Sequence, residues 1–324
     1  MRAVTIARPG APDVLTQTIV DVPRLEPRDV LIEVVAAGLN GADLSQRRGS
    51  YPPPAGAPEW PGMEVSGAVA DIGADVTGFT RGERVCALIP GGGYAEFAVA
   101  DERLVLPVPR GVELIDAAGL PEVAATVWSN VFMLAALQSD ETLLVHGGSS
   151  GIGSMAIQLA VALGSRVIAT AGSPDKVAFC QSLGAIGINY REDDFVAAVK
   201  AATDGTGADV VLDMVGGDYI ARDIRALALG GRIMVIANQS GATSDINVGA
   251  LMGKRGRIWG TTLRARPIDE RAKIIADIRA NVWPLIETGR VRTIVDSVFP
   301  LGNAADAHRR MESSEHIGKI LLEI

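Results

Sequence analysis

The sequence predicts an α/β fold in which a doubly wound parallel sheet of six strands is inserted into a β-rich domain. Three observations carry this reading. Near mid-chain a glycine-rich turn joins a short apolar strand to a helix. Strand and helix then alternate up to residue 260, the texture of a parallel sheet with crossover helices. Before residue 110 the chain is instead strand-rich and punctuated by Pro and Gly, as in a compact, largely antiparallel, barrel-like domain.

Taken in order, residues 1–6 read as a strand, followed by candidates at 30–36, 67–73, 84–89 and 95–100, with Gly91, Gly92 and Gly93 forming a loop. A helical stretch at 113–137 leads to Leu143, Leu144 and Val145, a buried strand by its shortness and the glycines that close it. Helix 154–163 follows, stopped by Gly164, and strand 166–172 completes one βαβ unit. Then come helix 174–183, strand 186–189, helix 192–203, strand 210–213, a helix around 217–229, and strands 232–236 and 257–260. After 265 the pattern changes. Helix 269–288 (Pro284 kinking it or marking its last turns), strand 293–296, helix 303–312 and strand 317–322 close the chain. So few elements bury little core alone, so they are expected to rejoin the N-terminal domain. The boundaries predicted are 1–120 plus 266–324 for the β-rich domain and 121–265 for the inserted α/β domain.

Gly151, Gly153 and Ala156 form G-x-G-x-x-A between strand and helix, the context in which this motif means a dinucleotide-binding Rossmann unit. The first glycine permits the tight turn, the second lets backbone approach a pyrophosphate, and the third position must be small for packing. The pyrophosphate belongs on the helix N-terminus, where free amides and the helix dipole favour an anion. A carboxylate closing the next strand would select NAD. Here Ala171, Gly172 and Ser173 stand there, with Lys176 following, a set suited to the 2′-phosphate of NADPH. Ser173 and Pro174 also read as a helix cap, and both readings hold together because a helix terminus is itself an anion site.

Among 324 residues, 48% hydrophobic with a formal charge of −8, nothing points to nucleic acid as a partner. No apolar run is long enough to span a bilayer, and the N-terminus lacks the apolar stretch of a signal peptide. A cytoplasmic enzyme acting on a small molecule is expected. Cys86 and Cys180 are widely separated and read as buried small hydrophobes. Of the three histidines, His308 and His316 read as surface residues, and His146 as a border of the cofactor site.

With its glycine loop in mid-chain, the sequence resembles the medium-chain dehydrogenase/reductase superfamily, whose nucleotide domain is inserted into a GroES-like substrate domain. Residues 36–43 are similar to the segment where its alcohol dehydrogenases carry a zinc-binding cysteine, and that position is Asn40 here. Residues 61–64 are similar to their Gly-His-Glu segment, with Met63 in place of the histidine. Asn and Met are poor zinc ligands, and the four-cysteine structural lobe has no counterpart, so no metal is expected. These departures match the zinc-independent quinone oxidoreductase branch. Residues 39–47, 51–56, 88–93, 170–173, Asn189, Tyr190, Gly216, Gly217 and 317–320 are similar to its inducible NADPH:quinone oxidoreductases.

The resemblance implies roles position by position. Asn40 would bond the nicotinamide end; Thr126 and the loop with Gly148, Ser149, Gly151, Ile152 and Gly153 would line the phosphates. Gly172, Ser173, Lys176 and Tyr190 would hold the adenosine phosphate. Met214, Val215 and Ile236 would border the ribose, Leu263 would cover the nicotinamide, and Lys319 would stand nearby. Plainer readings stand beside these: Asn40 as a turn residue, Tyr190 as a core aromatic, Lys319 as a snorkelling surface lysine.

Hydride transfer to a quinone needs no dedicated acid, since solvent can protonate the product. Tyr51, after Gly49 and before a proline run, is expected to contact the acceptor as proton donor or hydrogen-bond partner, or to pack the rim as an aromatic. Two rival functions remain open: a reductase of activated C=C bonds (enals or 2-enoyl thioesters) using Tyr51 as acid, and a non-enzymatic NADPH-binding protein. A homodimer is expected, because the strand near Ile258 and Trp259 would leave an apolar sheet edge to be paired.

Overall fold

In the computed structural model, which describes residues 1–324, the apolar run ahead of the glycines is the strand Thr142–Val145, buried at every position. Ser150 caps the helix Gly151–Ala162 that follows it. Around this βα pair lies a sheet of six parallel strands in the order Ile186–Asn189, Arg166–Ala171, Thr142–Val145, Ala208–Asp213, Leu227–Val235, Arg257–Gly260. The doubly wound sheet of the sequence reading is therefore present with all its strands. Chain order reverses at Thr142–Val145, so the switch point where such sheets bind ligands coincides with the glycine turn. Leu144, Ile168, Val211 and Ile233 from the sheet pack with Phe195, Val199, Ile220 and Ile224 from the helices.

The second sheet is organised on the long strand Asp29–Gly38. It pairs antiparallel with Glu64–Ile72, Phe97–Asp101 and the C-terminal Lys319–Glu323. Arg84–Leu88 and Val105–Pro107 extend one flank, and Val295–Pro300 extends the other, parallel to Lys319–Glu323. Arg2–Ile6 and Leu15–Ile19 form a separate hairpin. Alternate residues Val30, Ile32 and Val34 fill the core with Val65, Val69, Val85, Ile320 and Leu322. One compact unit comprises Met1–Ala125, Leu263–Thr288 and Thr293–Ile324; the other comprises Thr126–Thr262 and Gly289–Arg292.

Several elements differ from expectation for identifiable reasons. The helical stretch 113–137 is three pieces, Leu114–Ala117, Pro121–Val127 and Trp128–Leu134, the last with wide turns in which Ala135 N–H reaches the Asn130 carbonyl. Helix 217–229 stops at Ala226, and Leu227 to Leu229 belong to the next strand, bent at Gly230 with φ 80°. The single helix 269–288 is two, Ile268–Asn281 and Trp283–Glu287, because Pro284 fits only a first helical turn. Strand 293–296 is shifted to Val295–Pro300. Helices Gly41–Arg47 and Val248–Lys254 and the strand Leu15–Ile19 were not foreseen. No helix is long and apolar enough to cross a membrane.

Candidate active site

The glycine turn distributes its roles differently from the motif as read in sequence. Gly151 and Gly153 both lie inside the helix; the left-handed turn residue is Gly147, with φ 66°. A Cβ on Gly147 would meet Met214 Sδ at 2.9 Å, and one on Gly148 would meet Ala169 Cβ at 2.7 Å and Cys180 Sγ at 2.8 Å. At Gly153 the demand is absolute, since a Cβ would lie 2.3 Å from the Gly147 carbonyl oxygen. Ser150 Oγ–H donates to that carbonyl at 2.8 Å and accepts the Gly153 amide at 3.0 Å. The amides of Gly151 and Ile152 open the helix with no carbonyl of an earlier turn to bond. Ser149 is buried in the same turn, and Thr126 is buried in the helix Pro121–Val127. A bare backbone concavity at a helix N-terminus fits a pyrophosphate.

At the end of the next strand Gly172 lies under Tyr190, whose hydroxyl would be 2.7 Å from a Cβ there. Tyr190 is 39% exposed, so it is a surface phenol and not a core aromatic. Ser173 caps the helix Pro174–Ser182 through the Lys176 amide, with Pro174 in its first turn. Gly172, Ser173, Lys176 and Tyr190 are thus gathered at one helix N-terminus. Across the switch point, Asp213 accepts the amides of Val215 at 2.6 Å and Gly216 at 3.0 Å, and its own carbonyl accepts the Ile236 amide at 2.8 Å. That buried carboxylate, raised in pKa chiefly by burial, fixes the loop carrying Met214 and Val215. Sequence reasoning missed Asp213, although an acid closing a strand before Gly216 and Gly217 was a visible signal.

His146 turns away from any ligand role. Its Nδ1 pairs with Thr170 Oγ1 at 3.0 Å and its Nε2 with Asp223 Oδ1 at 2.8 Å, with no exposed surface, between Phe195 and Tyr219. The expectation that His308 is a surface residue is also wrong. It is fully buried, accepting from Arg47 Nη1 at 3.2 Å and meeting Tyr94 Oη at 3.3 Å, and burial beside Arg47 pushes its pKa down to about 3.

In the other unit the buried ion cluster centres on Glu64. The Lys319 ammonium spends all three hydrogens, on the Leu39 carbonyl at 2.6 Å, Asn40 Oδ1 at 2.7 Å and Glu64 Oε1 at 2.7 Å. Asn40 Nδ2 donates to the same Glu64 Oε1 at 2.9 Å, and the Glu122 amide donates to Glu64 Oε2 at 2.9 Å. Gly38 makes room: a Cβ there would lie 2.3 Å from Glu64 Oε1. Lys319 is 4% exposed, which disposes of the snorkelling reading. Asn40 is the N-cap of helix Gly41–Arg47 in a capping box with Asp43, so it is a turn residue and a ligand of Lys319 at once. Asp43 accepts the amides of Asn40 and Gly62, both at 2.9 Å, and burial raises its pKa to about 6.

This donor set does not suit zinc. The oxygens of Asn40 and Glu64 already hold an ammonium, and the buried thioether of Met63 is a poor ligand for that ion. No group of three or more His, Cys, Asp or Glu side chains is arranged to hold a metal. Tyr51, partly buried, carries its ring under the guanidinium of Arg264, 5.6 Å from centroid to central carbon. Its phenol is raised in pKa by burial, with Glu122 adding to the rise and Arg264 opposing it, and Leu263 is buried next to Arg264.

A parallel six-stranded sheet with a glycine turn at its switch point, and a separate antiparallel unit closed by the C-terminal strand, define a dinucleotide-dependent dehydrogenase or reductase. Residues 26–110 match the alcohol dehydrogenase GroES-like domain, and residues 151–279 match the zinc-binding dehydrogenase family. The rat quinone oxidoreductase is 32% identical over 326 residues, covering 99% of this chain and 97% of the relative. The Escherichia coli quinone oxidoreductase, solved with NADPH, superposes with a TM-score of 0.89 at 28% identity over 100% of both chains. The CurK enoyl reductase superposes at 0.86 with 25% identity, over 99% of this chain and 98% of that one. The chain belongs to the medium-chain dehydrogenase/reductase superfamily, in the company of its quinone oxidoreductases.

Proposed function

We propose that this chain is a zinc-independent reductase that uses NADPH to reduce quinones. The observation that carries the zinc-free part is the saturated Lys319 ammonium, held by Asn40, which stands at the position similar to that of the zinc-binding cysteine, and by Glu64, next to Met63 in place of the histidine. The full-length likeness to quinone oxidoreductases supports the acceptor class.

Bound NADPH supplies a hydride, and the chain's residues supply position. The amides of Gly151 and Ile152, with Gly148, Ser149, Gly153 and Thr126 around them, hold the pyrophosphate on the helix dipole. Ser173, Lys176 and Tyr190 take the 2′-phosphate beside Gly172, while Met214, Val215 and Ile236 form the ribose wall. Leu263 shields the nicotinamide from water. Asn40, held in place by Lys319, meets the carboxamide. Tyr51 meets the acceptor. The chain works as a homodimer joined through the edge strand Arg257–Gly260, near which Leu229, Val248 and Met252 expose 64%, 62% and 72% of their surface.

A second reading, reduction of an activated C=C bond, is favoured by the likeness to an enoyl reductase. The two differ in their need for an acid. A hydroquinone anion is protonated by solvent, whereas the carbanion left on an enoyl compound needs a positioned donor, whose loss costs about 10²–10⁴-fold. Steady-state oxidation of NADPH against quinones, enals and enoyl thioesters, for wild type and Tyr51→Phe, decides between them. Quinone turnover that survives in Tyr51→Phe is the expected result. Enoyl turnover that collapses in the variant, with negligible quinone activity in wild type, would replace the first reading by the second.

A further inference from the structure

Arg264 is 5% exposed, yet only one edge of its guanidinium is used. Nε donates to the Pro90 carbonyl at 2.5 Å, whereas Nη1 and Nη2 are buried with no hydrogen-bond partner. A buried cation that leaves its fork unmatched is costly, and such groups call for an explanation in what they bind. Nearby acids do not provide it. Asp43 and Glu122 act on the guanidinium through space, and the carboxylate of Asp43 is engaged by the amides of Asn40 and Gly62. The backbone of Gly91 packs close against the fork: a Cβ there would lie 3.0 Å from Nη2 and 3.1 Å from the Pro58 carbonyl. One face of the guanidinium is covered by the Tyr51 ring, in the loop that follows Gly49 with φ 81°.

We propose that the Arg264 fork receives the reacting oxygen of the acceptor, with the Tyr51 ring turning off the guanidinium face to admit it. This rests on the quinone-reductase reading. When the reduced nicotinamide delivers a hydride, the quinone gains one hydrogen and two electrons, and one of its oxygens is left as a phenolate. The nicotinamide is left oxidised. Arg264 holds that negative oxygen through Nη1 and Nη2 until it takes a proton from water or from the Tyr51 phenol, which water then restores. The product is the hydroquinone, and one solvent proton is consumed per turnover. A planar fork suits this better than an ammonium would, because it presents two parallel donors to one oxygen.

The test uses 4-nitrophenol as a probe of the oxyanion, with uncharged 4-nitroanisole as control, on full-length protein saturated with NADP⁺. Binding is read from the visible absorption of the phenolate. Wild type is expected to bind the phenolate at least about tenfold more tightly than the anisole, as a charge-assisted hydrogen bond implies, and Arg264→Met to lose that preference. Quinone kcat should fall by about 10²–10³ in Arg264→Met, as on removal of an oxyanion donor, with KM for NADPH unchanged. Arg264→Lys keeps charge without the fork and should bind the phenolate with intermediate affinity; it decides the matter alone if the Met variant does not fold. A folded Arg264→Met, or Lys variant, with wild-type phenolate affinity and kcat would overturn the proposal while leaving quinone reduction standing. Arg264-dependent phenolate binding in a protein that reduces no quinone would overturn the acceptor class and retain the oxyanion site.

Discussion

Replacing Lys319 by Met should unsettle the unit that holds the buried ion cluster. The substitution removes three hydrogen bonds of 2.6–2.7 Å and leaves the Glu64 carboxylate, 0% exposed, with only the Asn40 and Glu122 nitrogens. Breaking a buried ion pair from one side costs about 3–5 kcal/mol, since the remaining charge stays buried. For a unit of this size that is a fall in melting temperature of roughly 6–20 °C. Calorimetric or circular-dichroism melts at pH 7 read this directly. The double variant Glu64→Gln/Lys319→Met, which removes both charges, should recover most of the loss. A single variant costing less than about 1 kcal/mol, or a double variant no more stable than the single, would refute the view that a paired buried charge holds this corner together.

Lys176→Ala should reduce the preference for NADPH over NADH by roughly tenfold or more, the worth of one charge-assisted phosphate contact, measured by fluorescence titration of both cofactors. Equal affinities in wild type would remove the basis of that assignment. His308, held neutral with a pKa near 3 against about 6.5 unfolded, lends stability that is fully present above pH 6.5 and is lost as pH falls toward 3. The loss should reach about 4 kcal/mol by pH 3, and urea melts of His308→Gln across this range should lack that component; an unchanged pH profile would count against it. Light scattering at micromolar concentration should give a dimeric mass, and a charge introduced by Ile258→Lys on the edge strand should shift it toward monomer. Elemental analysis of purified protein should find no stoichiometric zinc, and chelators should leave activity intact.

What was legible in sequence followed from local periodicity. The strand, glycine turn and helix at 142–162 are contiguous, so every residue that defines them lies within one turn or one strand of the next. The same holds for Ser173 capping its own helix. The ion cluster was not legible as a cluster, because Lys319 meets Asn40 and Glu64 across separations of 279 and 255 residues. His308 was misread because it shares helix Ala304–Glu312 with Asp306, Arg309 and Arg310, which make the segment look uniformly polar. Ala304, Ala307 and His308 form its buried stripe, and small alanines are a faint signal of a face. Arg264 went unnoticed for a related reason. A lone arginine in a sequence announces a surface charge, and only its burial with an unmatched fork sets it apart.

The strand Lys319–Glu323 lies in the sheet beside Ala36, Ala37 and Gly38, and its first residue brings the cation for Glu64. That arrangement fixes an order of events as the chain is made. The six strands of the nucleotide sheet, between Thr142 and Gly260, leave the ribosome before the substrate sheet has its closing member. Closing that sheet means bringing together residues 280 apart, the kind of non-local pairing that slows folding. Until it happens, Ala36, Ala37 and Gly38 lack their partners from that strand and Glu64 lacks the Lys319 ammonium. A chain cut just before Lys319 would lose the strand and the ion in one stroke. The nascent substrate unit is thus the part of this protein that most depends on protection from aggregation during synthesis.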